Sequence, residues 1–266
     1  VQSTFGHLRT LGYLKLDVEG DRVSDHAEKQ IWLWAKTPTK PSRDIQDLIE
    51  EVDEAIGQTY SEVIGEALHD HLAKGPEVES ALGNWITDAM RWRTGADVGL
   101  QNTGGIRDDI HAGPISREDI FRVSPFRNTV VVFSLSGQQI KDLLEHDIEK
   151  GWDRLQVSGL KYTYRPRSVA PYGKRVMSVE VLGEKVVEGG KVLLPEKTYS
   201  VVSNNYLVGH AEDKYFGFAV KKFQDTGRLI HEVLMDWLRK HRLLDYREEG
   251  RIVAIRPPGS SRVPGG

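Results

Sequence analysis

VSPFRNTVVVFSLSGQQIKDLLEHDI, residues 123–148, joins two kinds of periodicity in immediate succession. TVVVFSL is a run of β-branched and aromatic residues that suits a strand. The helix that follows, residues 137–150, sets Ile140, Leu143, Leu144 and Ile148 on one side. Working outward, VGLQ, VSGLKYTY, KRVMSVEVL and YSVVSN read as further strands. Residues 83–94 read as a helix stopped by Gly95, and a third helix runs from Leu229 to about His241. From residue 61 onward these elements mix without the regular βαβ alternation of a doubly wound parallel sheet, which predicts an α+β fold.

Upstream, LGYLKLDV (11–18) alternates Leu14, Leu16 and Val18 on one face, and the turn-prone Glu19-Gly20-Asp21 leads into another extended stretch. This predicts a strand pair. Two prolines in TPTKPS (37–42) interrupt the chain, after which Ile45, Leu48, Ile49, Val52 and Ile56 recur at helical spacing up to Gly57. One amphipathic helix between a strand pair and a new pattern is a candidate interdomain connector. The expected divisions are 1–36, a linker and connector helix over 37–60, a main domain over 61–256, and a Pro-Gly-Ser-rich disordered tail over 257–266.

At 266 residues and 39% hydrophobic content, the chain has enough apolar material for one large core or two modest ones. A net charge of only -3 offers no broad electropositive surface, which argues against a nucleic-acid polymer as partner. The absence of cysteine excludes disulfides, thiolate nucleophiles and cysteine-ligated zinc, and leaves the redox compartment undecided. No run of about 18 apolar residues is present, so no membrane-spanning helix is expected. VQSTFGHLRT has neither an initiator Met nor the apolar core of a signal peptide, and the chain is expected to begin part-way through a longer protein.

Asn102-Thr103-Gly104-Gly105-Ile106-Arg107 follows the strand VGLQ, and its two glycines let backbone N–H groups approach a ligand closely. Arg107 adds a planar fork suited to phosphate or carboxylate. Spacing alone balances this reading against a tight turn whose arginine faces water. Phe126, before TVVVFSL, and Tyr206, after Asn204-Asn205, are loop aromatics at strand ends. Such rings can sandwich a flat base, although roofing a core is the commoner role.

Other constellations carry less. His69 and His71 flank Asp70, but three neighbours at a strand end are expected to be solvated, and no partner cluster accompanies them. Gly190-Lys191 is followed by Val192, so it is no phosphate-binding P-loop. There is no G-x-S-x-G elbow and no H-E-x-x-H motif. The 39 carboxylates are scattered, and none is marked as an acid or base by its context.

Taken together, GNWITDAM (83–90), GADVGLQNTGGIR (95–107), residues 123–148, LQVSGLKYTY (155–164), SNNYLVG (203–209) and EGRI (249–252) resemble the C-terminal domain of the 5'-nucleotidase family in order and spacing. The resemblance covers residues 61 to about 256, and it implies that domain's mixed sheets with helices packed on them. FGHLRTLGYLKLDVEGDRV looks like the last strands of the family's N-terminal metallophosphoesterase domain. The G-N-H-[DE] and G-H-x-H metal motifs of that domain do not occur in this chain, and His7 alone cannot replace them.

The resemblance implies a substrate-binding domain in a 5'-nucleotidase-type hydrolase acting in nucleotide catabolism, inactive without its N-terminal half. No cofactor is expected in this chain. The divalent metal pair that activates water is implied for the missing catalytic domain, which is also the implied partner. The ligand would be a small-molecule nucleotide or nucleoside, and the compartment periplasmic, cell-surface or extracellular. Asn102, Gly104, Gly105 and Arg107 fall on the family's N-G-G-G-I-R positions, with Thr103 replacing a glycine, while Phe126 and Tyr206 fall on its two base-stacking positions. Asp213 is matched to the ribose-binding carboxylate, in a loop where His210-Ala211-Glu212-Asp213-Lys214 replaces G-G-D-G. Pro76 stands where many relatives carry a phosphate-binding arginine, and Arg127 where they usually have glycine. Pro76, Arg127 and the altered loop at 210–214 motivate one alternative, a non-catalytic binding or interaction module that has lost nucleotide recognition; a parent enzyme for a cyclic nucleotide or nucleotide-sugar is another.

Overall fold

The computed structural model describes residues 10–33, 42–75 and 77–256, so Pro76, His7 and the tail after Arg256 lie outside the described residues. The chain divides into two compact units, Val1–Ala55 and Ile56–Gly266. In the first, β1 (Thr10–Glu19) and β2 (Arg22–Trp32) form an antiparallel hairpin, as the alternation of Leu14, Leu16 and Val18 predicts. These three side chains are exposed. The helix α1 (Arg43–Tyr60) follows, and Ile45, Leu48, Ile49, Val52 and Ile56 on its apolar stripe are exposed as well.

The second unit runs in chain order through β3 (Val63–Ala67), α2 (Ala81–Thr94), β4 (Val98–Asn102), β5 (Gly113–Ser116), α3 (Arg117–Val123), β6 (Thr129–Ser136) and α4 (Gly137–Lys150). It continues with β7 (Leu155–Ser158), β8 (Leu160–Tyr164), β9 (Val176–Val181), β10 (Glu184–Glu188), β11 (Lys191–Val192), β12 (Thr198–Asn204) and α5 (Asn205–Gly209). It ends with β13 (Phe223–Leu229), α6 (Ile230–His241), β14 (Leu243–Leu244) and β15 (Ile252–Ala254). The central sheet has the order β13-β6-β12-β4-β7, a second sheet the order β11-β10-β9-β8-β15, and a small one the order β14-β3-β5. Parallel pairs (β12 with β4, β14 with β3, β15 with β8) lie among antiparallel ones, so the class is the expected α+β with mixed sheets.

TVVVFSL is apolar almost without alternation because the central sheet is buried on both faces. Val131, Phe133 and Leu135 point into a core shared with the second sheet and with Ile140, Leu143, Leu144 and Ile148 of α4. Val130 points the other way, into a core built with α2, α3 and α6 around Trp85, Leu234 and Leu238. Helix ends follow their local signals. Ser80 caps α2 by accepting from the Gly83 N–H at 3.0 Å, and Ser136 with Gln139 forms a capping box on α4.

VSGLKYTY, read as one strand, is two. The chain breaks at Gly159 (φ +66°), leaving β7 in the central sheet and β8 in the second. A Cβ there would lie 2.0 Å from the Asp97 carbonyl oxygen, so only glycine permits the turn.

The C-terminal segment is fastened by Glu79, which is 4% exposed. Its carboxylate accepts from the backbone N–H groups of Glu249 (2.7 Å), Arg251 (2.8 Å) and Ile252 (3.3 Å), and from Asn84 Nδ2 (2.7 Å). Arg251 in turn gives two hydrogen bonds to Asp88, at 2.9 and 2.8 Å. EGRI is thus a latch, and its residues do not line the cavity that holds Phe126 and Tyr206.

The same segment buries His71, contrary to the solvated position expected for it. Leu243–Leu244 pairs alongside β3, and the Tyr246 N–H donates to His71 Nε2 at 3.0 Å. The rings of His69 and His71 stack at 4.3 Å, and His69 Nε2 meets Asp245 at 2.9 Å.

Two outcomes follow. Glu79→Ala strands buried backbone donors, and is expected to cost about 3 kcal/mol, read as a lower urea midpoint at unchanged m-value. His71 is held neutral because burial, and then the neighbouring His69, lower its pKa. Unfolding therefore takes up a proton once the pH falls below the ordinary imidazole value of about 6.5, and stability declines from there toward the lower folded value. His71→Gln, whose amide oxygen can accept the same N–H, is expected to flatten the fall in melting temperature between about pH 7 and pH 5.

Candidate functional site

Four loops meet at one edge of the central sheet, and strand direction brings them there. β4 and β12 are parallel, with Val201 opposite Val98, so Asn102 and Asn204 end their strands on the same side. β6 runs antiparallel to β12 with Asn204 opposite Val130, which delivers the preceding loop carrying Phe126 and Asn128 to that side. β7 runs antiparallel to β4 with Asn102 opposite Leu155, which sets Asp153 against the turn at residues 103–105.

Between these loops lies a cavity of about 350 Å³ lined by Asn102, Gly104, Gly105, Arg107, Phe126, Asn128, Asp153 and Tyr206. Six of the seven residues singled out in the sequence are thereby brought together. The seventh, Asp213, sits exposed on the helical turn Ala211–Tyr215 and does not line the cavity. Arg127 is exposed and is not a lining residue either. Phe126 and Tyr206 keep 41% and 39% of their surface exposed, so neither ring is consumed by roofing a core. The Tyr206 ring packs against His210 at 4.4 Å and edge-on to Tyr215 at 6.0 Å. Arg107 gives Nη1 to the Gly104 carbonyl at 3.1 Å, and its guanidinium carbon lies 5.8 Å from the Phe126 ring centroid.

Polar groups behind the cavity fix its wall. Asn204 Nδ2 donates to Gln101 Oε1 at 3.0 Å, and Gln101 Nε2 to the Asn102 carbonyl at 3.2 Å. Asn102 Nδ2 donates to the Asp153 carboxylate at 3.1 Å. That carboxylate also accepts from the Gly104 N–H and, at 2.5 Å, from the Tyr215 hydroxyl. Burial, then this hydrogen bond, pushes the Tyr215 pKa up and keeps the phenol a donor. Lys150 donates to the Asp153 carbonyl at 2.8 Å and stands 4.2 Å from the Tyr215 ring centroid. Its pKa is lowered, chiefly by burial.

The glycines answer to packing rather than to open space. A Cβ on Gly105 would lie 2.3 Å from Gln101 Nε2, and one on Gly104 would lie 2.7 Å from Asp153 Oδ1. Asn128 and Asp153 are the lining residues that sequence reading missed. Asn128 stands only two positions after Phe126, a signal available in the sequence, whereas Asp153 becomes visible only through the register of β7 on β4. Among the described residues, no group of three or more His, Asp or Glu side chains is placed to hold a metal ion.

The family model described as "5'-nucleotidase, C-terminal domain" matches residues 57–222. An apyrase from Tabanus yao is 28% identical over 263 residues, covering 89% of this chain and 46% of the relative. The protein UshA of Yersinia enterocolitica is 31% identical over 180 residues, covering 66% of this chain and 30% of the relative. The crystal structure of a 5'-nucleotidase precursor from Thermus thermophilus superposes with a TM-score of 0.70 at 31% identity, covering 94% of this chain and 50% of the other. This chain therefore spans half or less of the length of these relatives.

Gly105→Ala tests the packing behind the loop. Displacing the Gln101 amide is expected to lower stability by about 1 to 3 kcal/mol, measured by thermal melting.

Proposed function

The chain belongs to the 5'-nucleotidase C-terminal domain family, and on that footing we propose that its cavity binds the base and sugar of a nucleotide for a phosphoester hydrolase. The observation that carries the reading is that two half-exposed aromatic rings, Phe126 and Tyr206, line one cavity together with Arg107 and Asn128. Exposed rings on a concave site suit a flat heterocycle, and the amide and guanidinium supply directional contacts at its margin. Arg107, exposed beside Phe126, suits the phosphate.

The hydrolysis itself belongs to a preceding catalytic domain, where a divalent metal pair would activate water. No residue of this chain is assigned a part in bond breaking. A partner domain of this kind would cover Leu14, Leu16 and Val18 of the hairpin, apolar side chains that a soluble surface rarely leaves together. A location at the cell surface or beyond is part of the proposal. It is supported by a relative named "Cell wall protein" from Listeria monocytogenes, 31% identical over 242 residues and covering 82% of this chain and 29% of the relative.

Calorimetric titration of the chain with adenosine and AMP is the test. Phe126→Ala and Tyr206→Ala are each expected to weaken binding by about 5- to 100-fold, the range of one lost aromatic stack. A well-folded chain that binds no nucleoside or nucleotide overturns the proposal and favours an interaction module.

A further inference from the structure

The turn after α4 holds Asp153 at φ +45°, a backbone region that few residues other than glycine, asparagine and aspartate enter. Its carboxylate is held by donors that carry no charge: the Gly104 N–H, Thr103 Oγ1 at 3.4 Å, Asn102 Nδ2 at 3.1 and 3.3 Å, and the Tyr215 hydroxyl at 2.5 Å. The two nearby cations make their hydrogen bonds elsewhere, although Lys150 stands within electrostatic reach of the carboxylate: burial lowers its pKa, and the carboxylate opposes that by a smaller amount. Lys150 donates a hydrogen bond to the Asp153 carbonyl at 2.8 Å, and Arg107 Nη1 donates to the Gly104 carbonyl at 3.1 Å. Among the described ion pairs, none includes the Asp153 carboxylate. A fixed negative charge therefore lines the cavity beside the glycine turn, where it occupies the Gly104 N–H that a ligand anion would otherwise seek.

We infer that Asp153 is a specificity-determining residue. It excludes anionic groups from the inner end of the cavity, admits the uncharged base and sugar there, and turns the phosphate outward toward Arg107. The inference rests on the nucleotide reading above for the identity of the ligand. The exclusion of anions rests on the carboxylate alone. Two like charges within a few ångströms of each other at a partly exposed site repel strongly enough to change affinity about tenfold.

The experiment titrates the full chain and two variants with adenosine and, separately, with inorganic pyrophosphate. Asp153→Asn removes the charge with a residue that tolerates positive φ, and Asp153→Gly removes the side chain while relaxing the backbone. In the wild-type chain pyrophosphate is expected to engage Arg107 without moving the Gly104 amide resonance, and both variants are expected to raise the affinity for pyrophosphate relative to adenosine at least tenfold. A residue needed only for the shape of the turn would weaken both ligands together and leave that ratio unmoved, which overturns the inference. Pyrophosphate binding by the wild-type chain at this loop, seen as movement of the Gly104 amide resonance, also overturns it. Should adenosine bind none of the three proteins while pyrophosphate moves the Gly104 amide resonance only in the variants, the nucleotide reading fails and the role of Asp153 stands. Melting curves establish that each variant is folded, and either one alone decides the matter.

Discussion

The parallel pairing of β4 with β12 is the constraint from which the rest of the second unit follows. Both strands are buried on both faces at the centre of a five-stranded sheet, so their backbone groups must be satisfied by each other and by β6 and β7. Once the two run in the same direction, their C-terminal ends must emerge side by side. The antiparallel neighbours then return their own N-terminal loops to the same edge. A one-residue slip in β6 would turn Val131, Phe133 and Leu135 out of one core and Val130 out of the other, so the hydrophobic pattern fixes the register that assembles the cavity.

Rigidity at that edge comes from side-chain amides gathered onto one carboxylate. Asn204, Gln101 and Asn102 pass hydrogen bonds along the ends of the strands, and Asp153 closes the chain by gathering Asn102, Gly104 and Tyr215. Fully satisfied buried networks of this kind specify one geometry, because breaking any link strands a polar group away from water. The exposed rings of Phe126 and Tyr206 sit on this fixed frame.

The glycine turn illustrates how a motif and its use can separate. Its two glycines are required by the close approach of Gln101 and Asp153, and the N–H of the first is taken by the protein's own carboxylate. The cavity is consequently lined by two aromatic rings, by a carboxylate beside the glycine turn and by the guanidinium of Arg107.

The sequence by itself determined the elements and most of the site. The two periodicities of residues 123–148, the stops at Gly95 and in TPTKPS, and the ordered motifs are local, because residues within a turn or strand of one another set backbone preference and amphipathic faces. Asn102, Gly104, Gly105, Arg107, Phe126 and Tyr206 were picked out by the resemblance to the 5'-nucleotidase C-terminal domain, since local spacing left each open between a ligand contact and a structural role. Tertiary structure alone decided the break at Gly159 between two sheets, the burial of His71 under Tyr246, the place of Asp153 on the cavity wall and the separation of Asp213 from it. Each of these depends on which strand lies beside which and in what register. That choice is made by burial and hydrogen-bond satisfaction across the whole domain, between residues far apart along the chain.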